Sequence, residues 1–204
     1  GRRQEGGQRR PNGGAQDGQE RPAPVLAPRA TVRDPVERVE REALGIYLQL
    51  PGLASLAQMD ELPSQTFTVP VHRRVHEAIR AAGGAASYDK RVAELSANGV
   101  PLEKAEEAAA GWYVERVIEN ADDVVGRAVA QLAVETLPES RPDRVERYVW
   151  GIAVSLIRQG ITRQIGDLRS RLQRTPPDDP QYSALFSRLI ELEEQRRACD
   201  AQIE

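Results

Sequence analysis

The sequence predicts an all-α protein in which a helical bundle is followed by a long helix and a C-terminal antiparallel helical hairpin. From residue 34 onward, apolar residues recur at the three- and four-residue spacing of helices. Asp-Pro, Pro-Gly and Gly-Gly pairs separate these segments and are typical helix starts and stops. No segment shows the period-two alternation of a half-buried strand.

The first 33 residues differ in composition from the rest of the chain. They are rich in Gly, Arg, Gln and Pro, and their only large apolar residues are Val25, Leu26 and Val32. Such a segment buries too little apolar surface to offset its chain entropy. We therefore predict a disordered linker at 1–33, a helical bundle subdomain at 34–160 and a C-terminal helical hairpin at 161–204. The linker's Arg pairs suit either a solvated tether or a contact with phosphates or an acidic tail.

The bundle helices are predicted in order from their caps and apolar stripes. Asp34 is a good N-cap before Pro35, and Pro51-Gly52 ends this first helix. A capping carboxylate is also expected at Asp122-Asp123. The remaining predicted helices are a short one at about 53–59, one from Pro70 to Gly83-Gly84, a weaker one at 88–97, and one at about 102–119.

The long helix is predicted to start at Ser140-Arg141-Pro142-Asp143, which has the spacing of a capping box with Pro in the first turn. It runs to about Arg174, where Thr175-Pro176-Pro177 stops it. Asp179-Pro180 then starts the last helix. The chain therefore folds back on itself at about 175–179.

The two arms of this hairpin carry facing apolar stripes. The fold-back places Leu172 against Tyr182, Leu168 against Leu185 or Phe186, and Ile165 against Leu189. It also places Arg163 near Glu191 and Glu194. Exposed ion pairs of this kind contribute only ~0–1 kcal/mol each, so they align the arms more than they stabilise them.

Two features of the hairpin point beyond its own folding. Phe186 and Ile190 lie one position after the seam residues, which turns them to the seam's edge, where either the bundle or a partner covers them. Gly160 lies where the apolar stripe of the long helix changes phase. It is a candidate hinge between bundle and hairpin, or a glycine tolerated at a close helix contact.

The sequence offers few candidates for catalysis or metal binding. His72 and His76 share a helix face at a usable metal spacing, but no third ligand lies near them, so capping or surface packing is expected. Glu103, Glu106 and Glu107 fit a solvated helix face better than a carboxylate site. The two tryptophans, Trp112 and Trp150, are expected in the core. We predict no catalytic residue, no metal and no cofactor in this chain.

Charge and hydropathy exclude further classes. Lys and Arg total 28 against 31 Asp and Glu, so a net charge of −3 gives no overall attraction to nucleic acid. No apolar run is long enough to span a membrane. The single cysteine, Cys199, fits a reducing cytosol. Because the chain begins with Gly, we expect it to be part of a longer protein.

Two stretches resemble the C-terminal domain of bacterial DNA primases of the DnaG type. VEREALGIYLQLPGLASL is similar to that family's opening helix, and LPSQTFTVPVHRRVHEAIRAAGG is similar to its Phe-x-x-Pro-x-His-Arg-x-Val stretch. Phe67, Pro70, His72, Arg73 and Val75 match that second pattern. The tail from Trp150 resembles the actinobacterial form, so the resemblance covers about 34–204.

The resemblance implies a non-catalytic module that binds the replicative helicase. The hairpin would dock on the N-terminal domains of the hexameric DnaB-type helicase and recruit primase for RNA primer synthesis, at the replication fork on the nucleoid in the cytoplasm. The parent protein would be a DNA-directed RNA polymerase that uses zinc and magnesium. The expected helicase-binding residues are Arg169, Tyr182, Phe186, Ile190, Glu194 and Arg197.

The resemblance also implies a second partner and leaves two alternatives. Arg41, with Arg38 one turn earlier, would bind the acidic C-terminal tail of single-stranded DNA-binding protein. The folded part is expected to bind neither nucleic acid nor membrane. The alternatives are the N-terminal domain of a replicative helicase or another oligomerising helical scaffold, and a metalloenzyme using His72 and His76.

Overall fold

The computed structural model describes residues 34–203. The α-helices are α1 Pro35–Gln49, α2 Pro51–Leu56, α3 Pro70–Ala81, α4 Gly84–Ala97, α5 Leu102–Glu119, α6 Asp123–Val134, α7 Val145–Leu172 and α8 Tyr182–Ile203, with short 3-10 turns at Met59–Glu61 and Ser64–Thr66. No β-strand occurs among these residues, so the all-α prediction is confirmed. The predicted linker at 1–33 lies outside the described residues. None of the helices within 34–203 is both long and apolar enough to cross a lipid bilayer.

Two of the predicted N-caps are present. The Asp34 carboxylate accepts a hydrogen bond of 2.8 Å from the Val36 amide, and Asp122 accepts from the amides of Val124 and Val125, both at 3.0 Å. These bonds satisfy amides that have no partner inside the helix. The first-turn signals in the sequence therefore positioned α1 and α6 correctly.

Other helix boundaries differ from the predictions. Pro51 is the first residue of α2 as well as the stop for α1, because a proline is well suited to the first helical position. The fourth helix begins at Gly84 rather than Tyr88. Asp60 makes this earlier start possible, since its carboxylate accepts from the amides of Ala85 and Ala86 at 2.9 and 3.0 Å.

The capping box predicted at Ser140–Asp143 is wrong. α7 begins at Val145, and its N-cap residue Arg144 makes no side-chain hydrogen bond to the helix. The Glu139 carboxylate accepts from the Ser140 and Arg141 amides instead, at 3.1 and 3.0 Å. The preceding carboxylate therefore competes successfully for the amides of this turn, and the helix starts later.

The bundle core surrounds α1, which packs against α2, α3, α5, α6 and α7. Tyr47, one of its two fully buried tyrosines, donates a hydrogen bond to the Met59 carbonyl. The prediction of a buried Trp150 is wrong, because this side chain is 44% exposed. Trp112 is half-buried, with the Arg91 guanidinium 5.7 Å from its ring centre, and the neighbouring Tyr113 fills the core in its place.

Bundle and hairpin have separate apolar clusters along α7. The bundle cluster takes its last α7 residue at Leu156, and the hairpin cluster begins at Ile161. Gly160 lies between them, yet α7 is continuous through this position. A Cβ at Gly160 would meet only the Arg163 guanidinium, at 4.0 Å, so a close helix contact does not explain the glycine.

Candidate docking site

The hairpin is held by a narrow apolar seam between α7 and α8. Ile161, Ile165 and Leu168 of α7 are buried against Leu192 of α8, which is 1% exposed. Leu185, Leu189 and Cys199 are half-buried beside them. The predicted seam residues Ile165, Leu168, Leu185 and Leu189 all belong to this cluster, which accounts for the pairing of the two helices.

Ion pairs flank this seam. Arg169 donates to Glu193 at 2.6 Å, and Arg196 reaches the same carboxylate at 2.7 Å. Nearer the bundle, Arg158 pairs with Asp200. Ion pairs across the hairpin were predicted, but the residues that form them were not. A small shift of α8 along α7 changes which charged side chains face each other.

An apolar strip on α8 lies outside the seam. Phe186 is 49% exposed and Ile190 is 47% exposed. Tyr182, one turn earlier, is half-buried, while Glu194 and Arg197 are exposed further along the helix. Residues at spacings of three and four share one helix face, so these five side chains form a single strip with an apolar start and a charged end. We call it the α8 strip.

The base of the hairpin is fixed to the bundle by Arg163. Its guanidinium donates a hydrogen bond of 2.6 Å to the backbone carbonyl of Thr66. The prediction that Arg163 lies near Glu191 and Glu194 is therefore wrong. Thr66 belongs to a 3-10 turn that packs directly on α7, and the long sequence separation hides this contact from a reading of local patterns.

The turn that receives Arg163 is itself anchored by a buried carboxylate. Glu40 of α1 is fully buried and accepts from the Thr68 amide at 2.6 Å and the Val69 amide at 3.1 Å. It also lies 3.1 Å from Nδ1 of His72. Burial raises the pKa of this carboxyl, but the hydrogen bonds from His72, Thr68 and Val69 outweigh burial and hold the pKa below its ordinary value.

The two histidines are core residues. His72 and His76 are both 0% exposed, so the predicted role in capping or surface packing is wrong. His76 lies 3.3 Å from the Ser64 hydroxyl, and its ring packs 4.6 Å from the Phe67 ring centre. Burial, with the nearby Arg80 charge, lowers the pKa of His76 to about 4. Within residues 34–203, no group of three His, Cys, Asp or Glu side chains is placed to hold a metal ion.

The two arginines predicted to bind an acidic tail have different environments. Arg38 is exposed on α1. Arg41 is only 4% exposed, and its Nε and Nη2 atoms donate to the Glu135 carboxylate, the shortest of these bonds being 2.7 Å. Its Nη1 atom has no hydrogen-bond partner among the described residues.

A helical bundle that carries a projecting hairpin with a half-exposed apolar strip defines a protein-interaction module. Comparison with known families identifies the family to which this interaction module belongs. The family described as DNA primase DnaG DnaB-binding matches residues 40–185, more than half of the chain, and the chain belongs to this family.

Individual relatives agree with this membership. The chain is 31% identical over 195 residues to a DNA primase of Mycolicibacterium smegmatis, covering 95% of this chain and 28% of the relative. It is 35% identical over 150 residues to a DNA primase of Streptomyces coelicolor, covering 72% and 20% of the two chains. The chain therefore spans about a quarter of the length of the curated relatives it matches.

A solved structure matches the fold. The helicase binding domain of primase from Mycobacterium tuberculosis superimposes with a TM-score of 0.58 at 28% identity, covering 81% of this chain and 91% of that one. The bundle-plus-hairpin architecture is thus shared with a helicase-binding domain of another primase.

Proposed function

We propose that this chain is the module through which a DnaG-type DNA primase binds its DnaB-type replicative helicase. The family membership and the likeness to a solved helicase-binding domain support this at the level of the whole domain. The α8 strip is the observation that carries the proposal to individual residues. Phe186 and Ile190 remain about half exposed although the chain has two apolar clusters in which to bury them.

The α8 strip has the composition of a docking surface. Phe186 and Ile190 supply the apolar centre, with Tyr182 beside them, and apolar or aromatic anchors dominate most interfaces. Glu194 and Arg197 extend the strip with opposite charges, which favour one orientation of the partner. Arg169 contributes from α7, where its pairing with Glu193 holds the guanidinium at the edge of α8.

In this proposal the hairpin docks on the N-terminal domains of the helicase hexamer, and the bundle supports the hairpin. Docking recruits the primase for RNA primer synthesis, and the module itself is not catalytic. The polymerase activity, with its zinc and magnesium, belongs to other parts of the parent protein at the replication fork in the cytoplasm. Gly160 is the candidate hinge in this proposal, and movement of the hairpin there would have to break the hydrogen bond from Arg163 to the Thr66 carbonyl.

Calorimetric titration against the N-terminal domain of the cognate helicase tests the assignment. We expect Phe186→Ala with Ile190→Ala to weaken binding by about 1–3 kcal/mol, or roughly 5- to 150-fold. Trp150→Ala with Ile157→Ala is the matched control, since these α7 side chains are 44% and 42% exposed and lie outside the strip. The proposal fails if the folded Phe186/Ile190 variant binds as tightly as the wild type, or if both double variants lose affinity equally.

A second contact is proposed with the acidic C-terminal tail of single-stranded DNA-binding protein. The observation that supports it is exposed Arg38 on α1, whereas Arg41 is 4% exposed, pairs with Glu135 and has its unpartnered Nη1 atom buried, so Arg41 does not face the tail in this structure. We expect Arg38→Ala to weaken binding of a synthetic tail peptide and to leave helicase affinity unchanged. Equal binding of the peptide by both proteins would remove Arg38 from the site.

The relatives also bear on the alternatives. The relatives reported above are primases, which favours a primase module over the N-terminal domain of a helicase or another oligomerising scaffold. A metalloenzyme using His72 and His76 is disfavoured by their burial, since His72 already faces Glu40 inside the core.

A further inference from the structure

The carbonyl of Thr66 lies where the backbone offers it no donor. It belongs to a 3-10 turn, and a helix continuing from this turn would pair it with the amide of residue 69 or 70. The Val69 amide donates to the Glu40 carboxylate at 3.1 Å instead, and Pro70 has no amide hydrogen. In the described part of the chain, no backbone amide donates to the Thr66 carbonyl. Glu40 and Pro70 together therefore leave an acceptor that needs a side-chain donor.

Arg163 of the hairpin supplies that donor. Thr66 is only 6% exposed, and buried backbone carbonyls are almost always hydrogen-bonded in native structures. Nη2 of Arg163 lies 2.6 Å from the Thr66 oxygen, and within residues 34–203 the Arg163 guanidinium makes no other hydrogen bond or ion pair. A requirement of the bundle is thus met by a side chain of the hairpin.

The Phe-x-x-Pro-x-His-Arg-x-Val stretch builds and holds this turn. Phe67 is fully buried, and its carbonyl accepts a hydrogen bond of 3.0 Å from Nε of Arg73. Pro70 withholds an amide, and Nδ1 of His72 lies 3.1 Å from the Glu40 carboxylate. These contacts fix the position of the carbonyl that meets α7.

The bond from Arg163 crosses the boundary between bundle and hairpin. The bundle cluster ends on α7 at Leu156 and the hairpin cluster begins at Ile161, with Gly160 between them. The Arg163 guanidinium lies back over Gly160, since a Cβ there would be 4.0 Å from Nη2. Because α8 packs along α7, the direction of α7 beyond Gly160 is the direction of the whole hairpin.

We propose that Arg163 is a positioning residue, whose hydrogen bond to the Thr66 carbonyl sets the direction in which the hairpin leaves the bundle. Gly160 is the residue of this boundary at which α7 bends most easily, and the bond opposes such a bend. A hydrogen bond from a charged donor shifts an equilibrium of this kind by roughly 10- to 150-fold. The bond also presents the α8 strip to the helicase in one direction, and this second part rests on the proposed function.

The distance between two nitroxide labels in the full chain tests the first part. The exposed serines Ser96 of α4 and Ser170 of α7 are replaced by labelled cysteines in a Cys199→Ala background, and pulsed electron double resonance measures their separation. Ser170 lies roughly 15 Å along α7 from Gly160, so a bend of about 20° moves its label by roughly 5 Å. Arg163→Met keeps the apolar stem and removes the donors. We expect one narrow distance with Arg163 present and a distribution broader by about 5 Å in R163M.

A matched variant separates the bond from a general effect of losing an arginine. Arg147 is exposed on the bundle part of α7, and Arg147→Met should leave the distance unchanged. Circular dichroism establishes that each variant keeps its helices. If R163M does not fold, Arg163→Lys takes its place, and its single-point donor should broaden the distribution by a smaller amount. A distribution as narrow as with Arg163 present, or equal broadening by R147M, overturns the proposal.

Calorimetry with the N-terminal domain of the cognate helicase tests the second part. R163M keeps Phe186 and Ile190, yet its Kd should rise about 3- to 10-fold, because only roughly 0.1–0.3 of the molecules then hold the strip in the bound direction. Broader distances with an unchanged Kd overturn the role of Arg163 in docking. If the wild type does not bind the helicase domain, the proposed function fails, and the label distances still decide whether Arg163 positions the hairpin.

Discussion

Removing the Glu40 carboxylate should destabilise the bundle more than any ordinary surface substitution. Glu40 is fully buried on α1, and it accepts from the Thr68 amide, the Thr68 hydroxyl and the Val69 amide at 2.6, 2.5 and 3.1 Å. It also faces Nδ1 of His72 at 3.1 Å. One side chain thereby joins α1 to the start of α3 and to the turn that receives Arg163.

The magnitude follows from what the substitution leaves unpaired. Glu40→Ala removes the acceptor from two backbone amides and from the His72 imidazole in a buried site. Each unsatisfied buried group costs about 1–3 kcal/mol, and this substitution leaves several such groups. We expect a loss of about 3–5 kcal/mol, a large part of the ~5–15 kcal/mol typical of a domain. Glu40→Gln keeps one acceptor oxygen and should lose about 1–3 kcal/mol.

Urea denaturation at pH 7, followed by circular dichroism at the helical band, measures these losses. Glu77→Ala is the control, because Glu77 is an exposed carboxylate on α3 and its loss should change the free energy of unfolding by less than about 0.5 kcal/mol. If Glu40→Ala lowers the free energy of unfolding by less than about 1 kcal/mol, the carboxylate does not hold the turn and the reasoning is refuted.

Two further predictions concern His76 and Gly160. The pKa of His76 is about 4 in the folded chain, against an ordinary 6.5, so the unfolded chain binds a proton between these values that the folded chain does not. The free energy of unfolding should therefore fall by up to about 3 kcal/mol as pH drops from 6.5 to 4. His76→Gln should make the free energy of unfolding less dependent on pH in this range. If the variant keeps the same dependence, His76 is not its source. Gly160→Ala should raise the free energy of unfolding by about 0.5–1 kcal/mol in a thermal or urea melt, because α7 is continuous there and the new methyl group has room. A destabilised variant would mean that α7 bends at this residue.

Local signals in the sequence were sufficient for most of the helices. Asp34 and Asp122 cap their helices as predicted, because an N-cap acts on amides only two or three residues away. The hairpin seam followed from spacing alone, since antiparallel helices joined by a short turn have little freedom of register. The capping box at Ser140 failed for a local reason too, in that Glu139 takes the amides of the turn.

Contacts between distant residues were not accessible from the sequence. The bond from Arg163 to the Thr66 carbonyl joins positions 97 residues apart, and the pair of Glu40 and His72 joins positions 32 apart. No periodicity encodes either contact. The buried histidine pair was misassigned for the same reason, because polar residues are mostly exposed unless a partner inside the fold compensates them. For the α8 strip, the spacing in the sequence indicated which residues lie outside the seam. Only the structure showed that the bundle does not cover these residues.

Hydrogen exchange of the chain with and without a saturating amount of the cognate helicase N-terminal domain tests the docking assignment most directly. Backbone amides on α8 between Tyr182 and Arg197 should exchange more slowly in the complex, while amides of α2 and α4 in the bundle should be unchanged. Protection confined to the bundle, with α8 exchanging as in the free chain, would contradict the assignment of the hairpin as the helicase-docking arm.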